Sequence, residues 1–263
     1  MVQRDAGIRG FIIDLDGTVY LGHKPVPGAA RFVERMRAAG CRCLFVTNRS
    51  NRLPETVCAQ LREHGIACEV DDILTSSQAT AVYLEKGASV YCIGEAGLSA
   101  ALREAGHRFD DEQPDYVVVG FDRGFTYDKL ARACSLIRAG ARYVATNPDR
   151  GLKADGGVTP GTGSLVAAVT AAAGVEPVMI GKPERLIVDM ALQRMGLPAE
   201  AVVMIGDNVE TDIPAGARAG VRTALMLTGI SSRADLAETG VEPTWILETY
   251  DELTACLEPL LPA

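Results

Sequence analysis

A pair of acidic residues directly after a short apolar run constrains the fold of this chain more than any other feature. Phe11, Ile12 and Ile13 are typical of a strand buried on both faces, and Asp14 and Asp16 follow where that strand ends. Ligands of open α/β sheets bind at the carboxyl ends of strands. Two carboxylates at such an edge repel each other unless a cation lies between them, and Mg²⁺ prefers such oxygen ligands. Alone, the pair is equally compatible with ordinary loop carboxylates.

Polar side chains also follow three later apolar segments that have the character of strands. The residues at these ends are Thr47 and Asn48 after the segment 41–46, Lys182 after 177–180, and Asp207 and Asp212 after 202–205. Helical patterns alternate with the strands, which predicts an α/β fold with a doubly wound, Rossmann-like parallel sheet. The segments between 88 and 180 repeat the alternation and fit either one larger sheet or a separate α/β domain. The glycine-rich stretch 151–163 is expected to be a loop.

Composition excludes several classes of partner. The 263 residues carry a formal net charge of −8 without any run of like charges, which disfavours nucleic acid or an anionic membrane as the main partner. No signal-peptide core and no run of 18 apolar residues occur, so we expect a cytoplasmic protein. The seven cysteines lack metal-ligand spacing and are expected to be reduced.

The four strand ends together resemble the motifs of the haloacid dehalogenase superfamily of phosphohydrolases. Those motifs are DxD, Ser or Thr, Lys, and GDxxxxD, and all are present here in order. The stretches VTNRSN, VVVGFDRGFTYDKL, ATNPD, PGTGSLVAAV and GDNVETDI look like the subfamily IIA, which contains NagD-like, 4-nitrophenyl and pyridoxal phosphatases. The resemblance covers essentially the whole chain.

The resemblance implies a domain organisation and a partner. Residues 1–78 and 180–263 would form the hydrolase core, and residues 79–179 an inserted, mobile α/β cap that covers the active site. The partner would be a small phosphorylated metabolite, and relatives often pair through the cap, so a homodimer is possible.

Chemistry and motif position assign the catalytic roles. A carboxylate nucleophile divides the hydrolysis of a phosphate monoester into two steps through an aspartyl-phosphate intermediate, and Asp14 has the position of that nucleophile. Asp16 would protonate the leaving oxygen and then take a proton from water. Lys182 and Thr47 would neutralise and hydrogen-bond the phosphoryl oxygens.

Mg²⁺ and the substrate have their own expected ligands. Asp14, the backbone carbonyl of Asp16 and Asp207 would hold the metal, with Asn208 and Asp212 supporting that shell. The candidate substrate contacts are Asn48, Arg49, Asn147, Asp149 and Lys153, the last within the cap loop 150–155. For Asn147 and Asp149 a turn-forming role is an equal alternative, and Arg49 stands where relatives usually carry Asn.

A second class of function is a nucleotide- or phosphometabolite-binding protein without catalysis. The stretch Gly94–Gly97 follows a strand and opens a helix, but it lacks the full G-x-G-x-x-G spacing. Such a binder would not need Asp14, Asp16, Lys182 and Asp207 together, so we expect a phosphatase.

Overall fold

The computed structural model describes residues 7–154 and 157–262. Contacts divide the chain into two compact units. The first comprises the residues up to Thr47, Glu55–Leu74 and those from Lys182 onward, and the second comprises Asn48–Pro54 and Thr75–Gly181. The division into a core of 1–78 with 180–263 and a cap of 79–179 stays a prediction.

The first unit is built on a six-stranded sheet. Numbered along the chain, its strands are β1 (Gly10–Ile13), β4 (Arg42–Thr47), β5 (Ile73–Thr75), β13 (Val202–Gly206), β14 (Arg222–Met226) and β15 (Trp245–Leu247). They lie in the order β15-β14-β13-β1-β4-β5, and β1 pairs in parallel with both β13 and β4. The helices are α1 (Ala29–Ala38), α2 (Pro54–Glu63), α7 (Arg185–Met195), α8 (Asp212–Arg218), α9 (Arg233–Thr239) and α10 (Tyr250–Leu257). The carboxyl ends of β1, β4 and β13 therefore meet at one edge of the sheet.

Aromatic side chains hold this sheet to its helices. Phe11 of β1 meets Phe32 of α1 edge-on with ring centroids 5.4 Å apart, and Phe32 lies 5.3 Å from the ring of Tyr250 in α10. All three side chains are buried. Truncating a buried aromatic such as Phe32 to alanine costs about 3–5 kcal/mol, so this cluster stabilises the edge that carries Asp14.

The second unit has its own parallel sheet. Its strands are β6 (Ser89–Ile93), β7 (Arg108–Phe109), β8 (Tyr116–Val119), β9 (Arg142–Ala145) and β12 (Val178–Met179), in the order β12-β9-β8-β6-β7. Each neighbouring pair is parallel. The helices are α3 (Ser76–Tyr83), α4 (Ala96–Glu104), α5 (Tyr127–Arg138) and α6 (Thr162–Ala173). The parallel strands between residues 88 and 180 thus form a separate sheet. This answers the question, left open by the sequence, of whether they extend the first sheet.

The predicted α/β class is confirmed, but strict alternation of strand and helix is wrong. Two antiparallel hairpins interrupt it, β2 (Tyr20–Leu21) with β3 (Lys24–Pro25) and β10 (Gly151–Ala154) with β11 (Gly157–Pro160). Gly22 has φ +60° in the two-residue turn of the first, as such turns require. The second replaces the predicted loop 151–163, and its sequence signal is the hairpin-type dipeptide Asp155-Gly156.

The remaining sequence expectations concern cysteines and membranes. All seven cysteines are free thiols, and five of them are buried. In residues 7–154 and 157–262, every helix is too short or too polar to cross a membrane.

Candidate active site

An ammonium group lies against two carboxylates at the carboxyl edge of the first unit's sheet. Asp14 follows β1 and extends its pairing with β13, because its N–H donates to the carbonyl of Ile205 at 2.8 Å. Lys182 donates from Nζ to Oδ1 of Asp14, and the same Nζ lies 2.7 Å from Oδ1 of Asp212. The exposed fractions of the Lys182, Asp14 and Asp212 side chains are 3%, 9% and 1%. Two distant parts of the sequence thus form one buried ion cluster.

Asp207 completes a group of three carboxylates. It directly follows β13, the strand beside β1, so parallel pairing brings it to the same edge. Oxygens of Asp14, Asp207 and Asp212 all lie within 4.8 Å of one another. With one ammonium for three buried carboxylates, the cluster has an excess of negative charge, and its donors are the hard oxygens that divalent cations such as Mg²⁺ bind. These residues therefore fit a metal ion.

Thr18 is a member of this site that the sequence analysis missed. Its hydroxyl lies 3.4 Å from Oδ2 of Asp14 and 3.4 Å from Oδ1 of Asp207, so the two carboxylates share its single proton as acceptors. The side chain is fully buried, and Tyr250 donates from its hydroxyl to the Thr18 carbonyl at 3.1 Å. The signal that could have found it is its position two residues after Asp16, within the same short loop.

Glycines allow the backbone to approach the carboxylates closely. A Cβ added to Gly17 would lie 2.1 Å from Oδ2 of Asp207, and one added to Gly229 would lie 1.9 Å from the same oxygen. A Cβ on Gly206 would lie 2.3 Å from the Asp212 side chain. Any side chain at these positions would displace a carboxylate, so glycine is required sterically, and Gly17 additionally has φ +91°.

Asp212 and Asn208 organise the loop after β13. Oδ2 of Asp212 accepts the N–H of Asp207 at 3.1 Å and that of Asn208 at 3.0 Å. Oδ1 of Asn208 accepts the N–H of Glu210 at 2.8 Å, a local turn contact. Asp212 therefore fixes the backbone of Asp207 through Oδ2 while its Oδ1 faces Lys182.

Burial and charge shift the ionisation of the cluster. Burial raises the pKa of Asp14 well above its usual range, against the lowering influence of Lys182. Burial and the negative charge of Asp212 raise the pKa of Asp207 to about 7. Burial lowers the pKa of Lys182, but the facing carboxylates of Asp14 and Asp212 outweigh burial and raise it overall. Lys182 is therefore charged at neutral pH. The repulsion among the three carboxylates destabilises the folded protein.

Asp16 and Thr47 lie at the neighbouring strand ends. Asp16 is half-buried, and the peptide that follows it is fixed because the N–H of Gly17 donates to the carbonyl of Tyr20 at 2.7 Å. Thr47 is the last residue of β4, the strand that pairs with β1 on the side away from β13, and it is buried.

The predicted substrate contacts lie in the second unit. Nδ2 of Asn48 donates to Oδ1 of Asp149 at 3.2 Å, and Nδ2 of Asn147 donates to the Asn48 carbonyl at 2.8 Å. The N–H of Asp149 also donates to Oδ1 of Asn147 at 3.2 Å, so the turn-forming role of these two residues is present. Arg49 is half-buried. Lys153 lies in β10 with its side chain outside the described part, and Asp155 of the predicted cap loop 150–155 lies outside the described residues.

Comparison with known proteins gives the class of this chain. The family description "Haloacid dehalogenase-like hydrolase" matches residues 11–108, and "HAD-hydrolase-like" matches residues 179–253. The chain therefore belongs to the haloacid dehalogenase superfamily of hydrolases, as its motifs predicted.

Individual relatives narrow that class. The chain is 41% identical to the 5'-nucleotidase YutF of Bacillus subtilis over 93% of its length and 96% of that protein. It is 41% identical to the acid sugar phosphatase of Staphylococcus aureus, over 95% and 98% of the two chains. The solved p-nitrophenyl phosphatase from Archaeoglobus fulgidus is 33% identical, with a TM-score of 0.91 over 95% of this chain and all of that one. The chain is a phosphatase of subfamily IIA, the NagD-like group, as expected.

Proposed function

We propose that this phosphatase hydrolyses small phosphate monoesters with Mg²⁺ and through an aspartyl-phosphate intermediate. The observation that carries the proposal is the buried carboxylate of Asp14, which contacts Lys182 and shares an oxygen cluster with Asp207 and Asp212. A binding protein without chemistry would gain nothing from burying three repelling carboxylates beside a lysine, because such a cluster is costly to fold.

Asp14 is the proposed nucleophile. Its carboxylate oxygen attacks phosphorus, the bond from phosphorus to the alcohol oxygen breaks, and the phosphoryl group is transferred to Asp14. Lys182 favours the anionic form of Asp14 against the effect of burial and balances the charge of the phosphoryl oxygens after attack. Thr47, at the end of the adjacent strand, supplies a hydroxyl donor to the same oxygens.

Asp16 is the proposed acid and base. In the first step it gives a proton to the departing alkoxide, and in the second step it takes a proton from the water that attacks the phosphorylated Asp14. Its half-buried position leaves it accessible to both the leaving group and water. The second step releases inorganic phosphate and restores the Asp14 carboxylate.

The residues proposed to hold Mg²⁺ are Asp14, Asp207 and the backbone carbonyl of Asp16. Asp212 and Asn208 support this set through the loop contacts after β13. When bound, the ion supplies positive charge to the phosphoryl oxygens and offsets the repulsion among the carboxylates. The excess of negative charge in the cluster supports the assignment of a divalent cation.

The proposed substrate class follows from the relatives and from the second unit. Relatives named 5'-nucleotidase, acid sugar phosphatase and p-nitrophenyl phosphatase point to nucleoside monophosphates, sugar phosphates and simple aryl phosphates. We propose that the leaving group is recognised by a set of residues in the second unit, Asn48, Arg49, Asn147, Asp149 and Lys153. The second unit would then act as the cap, and a homodimer through it remains part of the proposal.

The test is phosphate release from a panel of monoesters: nitrophenyl phosphate, glucose 6-phosphate, AMP, UMP, pyridoxal phosphate and glycerol phosphate. Each is measured with Mg²⁺, with chelator, and with Asp14→Asn. We expect metal-dependent release that Asp14→Asn abolishes, while Asp251→Asn, an exposed carboxylate paired with Arg31, leaves it unchanged. Absence of release with every substrate, by a folded protein that binds Mg²⁺, would favour the binding-protein alternative.

A further inference from the structure

Asp207 accepts hydrogen bonds from a loop that lies outside the four catalytic motifs. This loop, Thr228–Ser231, follows β14. The N–H of Ile230 donates to Oδ2 of Asp207 at 2.6 Å, and the N–H of Ser231 donates to the Asp207 carbonyl at 3.2 Å. Gly229 lies so close that an added Cβ would meet the Asp207 carboxylate. One oxygen of Asp207 is thus engaged by the Thr228–Ser231 loop, and the other faces the Thr18 hydroxyl.

The same loop also holds the segment that bears Asp14 and Asp16. The hydroxyl of Thr228 donates to the carbonyl of Gly17 at 2.7 Å. Gly17 in turn abuts Oδ2 of Asp207. The Thr228–Ser231 loop therefore binds both sides of the carboxylate cluster, one through backbone amides and the other through a single side-chain hydroxyl.

The contacts of the Thr228–Ser231 loop with Asp207 and with Gly17 oppose the electrostatic repulsion within the carboxylate cluster. The carboxylates of Asp14, Asp207 and Asp212 repel one another, and in the described part of the chain Lys182, Thr18 and backbone donors oppose that repulsion. A segment free to move would let Asp14 and Asp207 separate, and the cation would then have to bring them together again on binding. A fixed segment keeps its ligands ready for the ion.

We propose that Thr228 is a positioning residue for the metal site, because its hydroxyl fixes the Asp14–Thr18 segment against Asp207. The inference rests on the proposed Mg²⁺-dependent function. Thr228 acts through the backbone carbonyl of Gly17 and is assigned no catalytic contact.

The test is magnesium affinity by isothermal titration calorimetry, with thermal unfolding as a check on folding. Thr228→Val removes the hydroxyl and keeps the shape of the side chain. Thr228→Val loses one hydrogen bond between uncharged groups, so we expect its affinity for Mg²⁺ to be about threefold to tenfold weaker. Thr228→Ser, which keeps the hydroxyl, should bind Mg²⁺ within about twofold of the unsubstituted protein. Thr239→Val, in exposed α9 with its hydroxyl bonded to the carbonyl of Asp235, is the matched control and should show no change.

Activity supplies the second readout. In Thr228→Val the Mg²⁺ concentration for half-maximal rate should rise by the same factor, while kcat and the substrate KM at saturating Mg²⁺ stay unchanged. Unaltered Mg²⁺ affinity, or a loss of kcat that saturating Mg²⁺ does not recover, would overturn the inference. If Thr228→Val does not fold, Thr228→Ala is measured in its place. Failure of the unsubstituted protein to bind Mg²⁺ or release phosphate would instead contradict the proposed function itself.

Discussion

The ammonium nitrogen of Lys182 lies 2.7 Å from Oδ1 of Asp212 and also donates to Oδ1 of Asp14. One cation therefore serves two carboxylates that come from the end of β1 and the start of α8. Because all three groups are buried, the pairings are screened little by water, and removal of the shared cation leaves two buried charges unpaired.

Replacing Lys182 with methionine should destabilise the metal-free protein by about 3–5 kcal/mol, the cost typical of an uncompensated buried charge. Saturating Mg²⁺ should recover part of that loss, because the ion supplies positive charge to the same carboxylates. Urea unfolding in chelator and in Mg²⁺ measures both effects. Arg185→Gln, which breaks an exposed pair with Asp189, is the control and should cost less than about 1 kcal/mol. Equal unfolding free energies for the two variants would contradict this interpretation.

Asp16→Asn should slow both steps of hydrolysis by about 10²–10⁴-fold, the usual contribution of a positioned acid and base. Nitrophenolate leaves without a proton, so with nitrophenyl phosphate the second step should be impaired more than the first. Acid quenching should then trap phosphate covalently on the variant. An alkyl phosphate should not accumulate that species. An unchanged rate with both esters would remove Asp16 from the mechanism.

The raised pKa of Asp207 makes metal-free stability depend on pH. Its pKa is about 7 when folded and near 3.8 when unfolded, so the folded state retains a proton that the unfolded state releases between these values. The contribution of Asp207 to stability is therefore present at low pH and is lost as pH rises from about 4 through 7.

In chelator, the free energy of unfolding contributed by Asp207 should fall by about 3 kcal/mol between pH 5 and pH 8. Asp207→Asn cannot ionise, so the difference between the two proteins across that range isolates the effect of Asp207. Denaturant unfolding at several pH values gives the measurement. Parallel pH profiles for the two proteins would show that Asp207 ionises normally when folded.

Gly229→Ala should weaken Mg²⁺ binding by at least about tenfold, because the new Cβ would lie 1.9 Å from Oδ2 of Asp207 and displace that carboxylate. Gly220→Ala is the matched control: Gly220 has φ +74° and nothing within 4 Å of its added Cβ. That substitution should cost about 1–2 kcal/mol of backbone strain without changing Mg²⁺ affinity. Calorimetric titration of the two folded variants separates crowding of Asp207 from strain, and equal affinities would argue against crowding.

The sequence predicted the cluster of Asp14, Lys182, Asp207 and Asp212 because strand periodicity places carboxyl ends at a common sheet edge. The charged residues after those strands are few, and their spacing matches a known set of motifs. The same reasoning located Asn48, Asn147 and Asp149, but their mutual hydrogen bonds depend on side-chain directions that spacing does not determine. Their roles toward substrate stay predictions.

Other parts of the site had weaker signals. Thr18 resembles any small residue of a turn until two carboxylates are seen to face it. Thr228 follows β14, which lies on the side of β13 away from β1. It is 211 residues from Gly17 in the sequence, although the two are joined by a hydrogen bond. The short hairpin β2–β3 has two residues per strand, too few for a period-two pattern to appear.

The hydrogen bond from the backbone of Ile230 to Asp207 has an evolutionary consequence. The side chain of Ile230 is 52% exposed, whereas its amide holds the carboxylate. The hydrogen bond uses only the backbone N–H, so almost any residue at position 230 can make it. We expect substitutions to accumulate here freely among descendants of this chain with one exception, proline, which has no N–H to give.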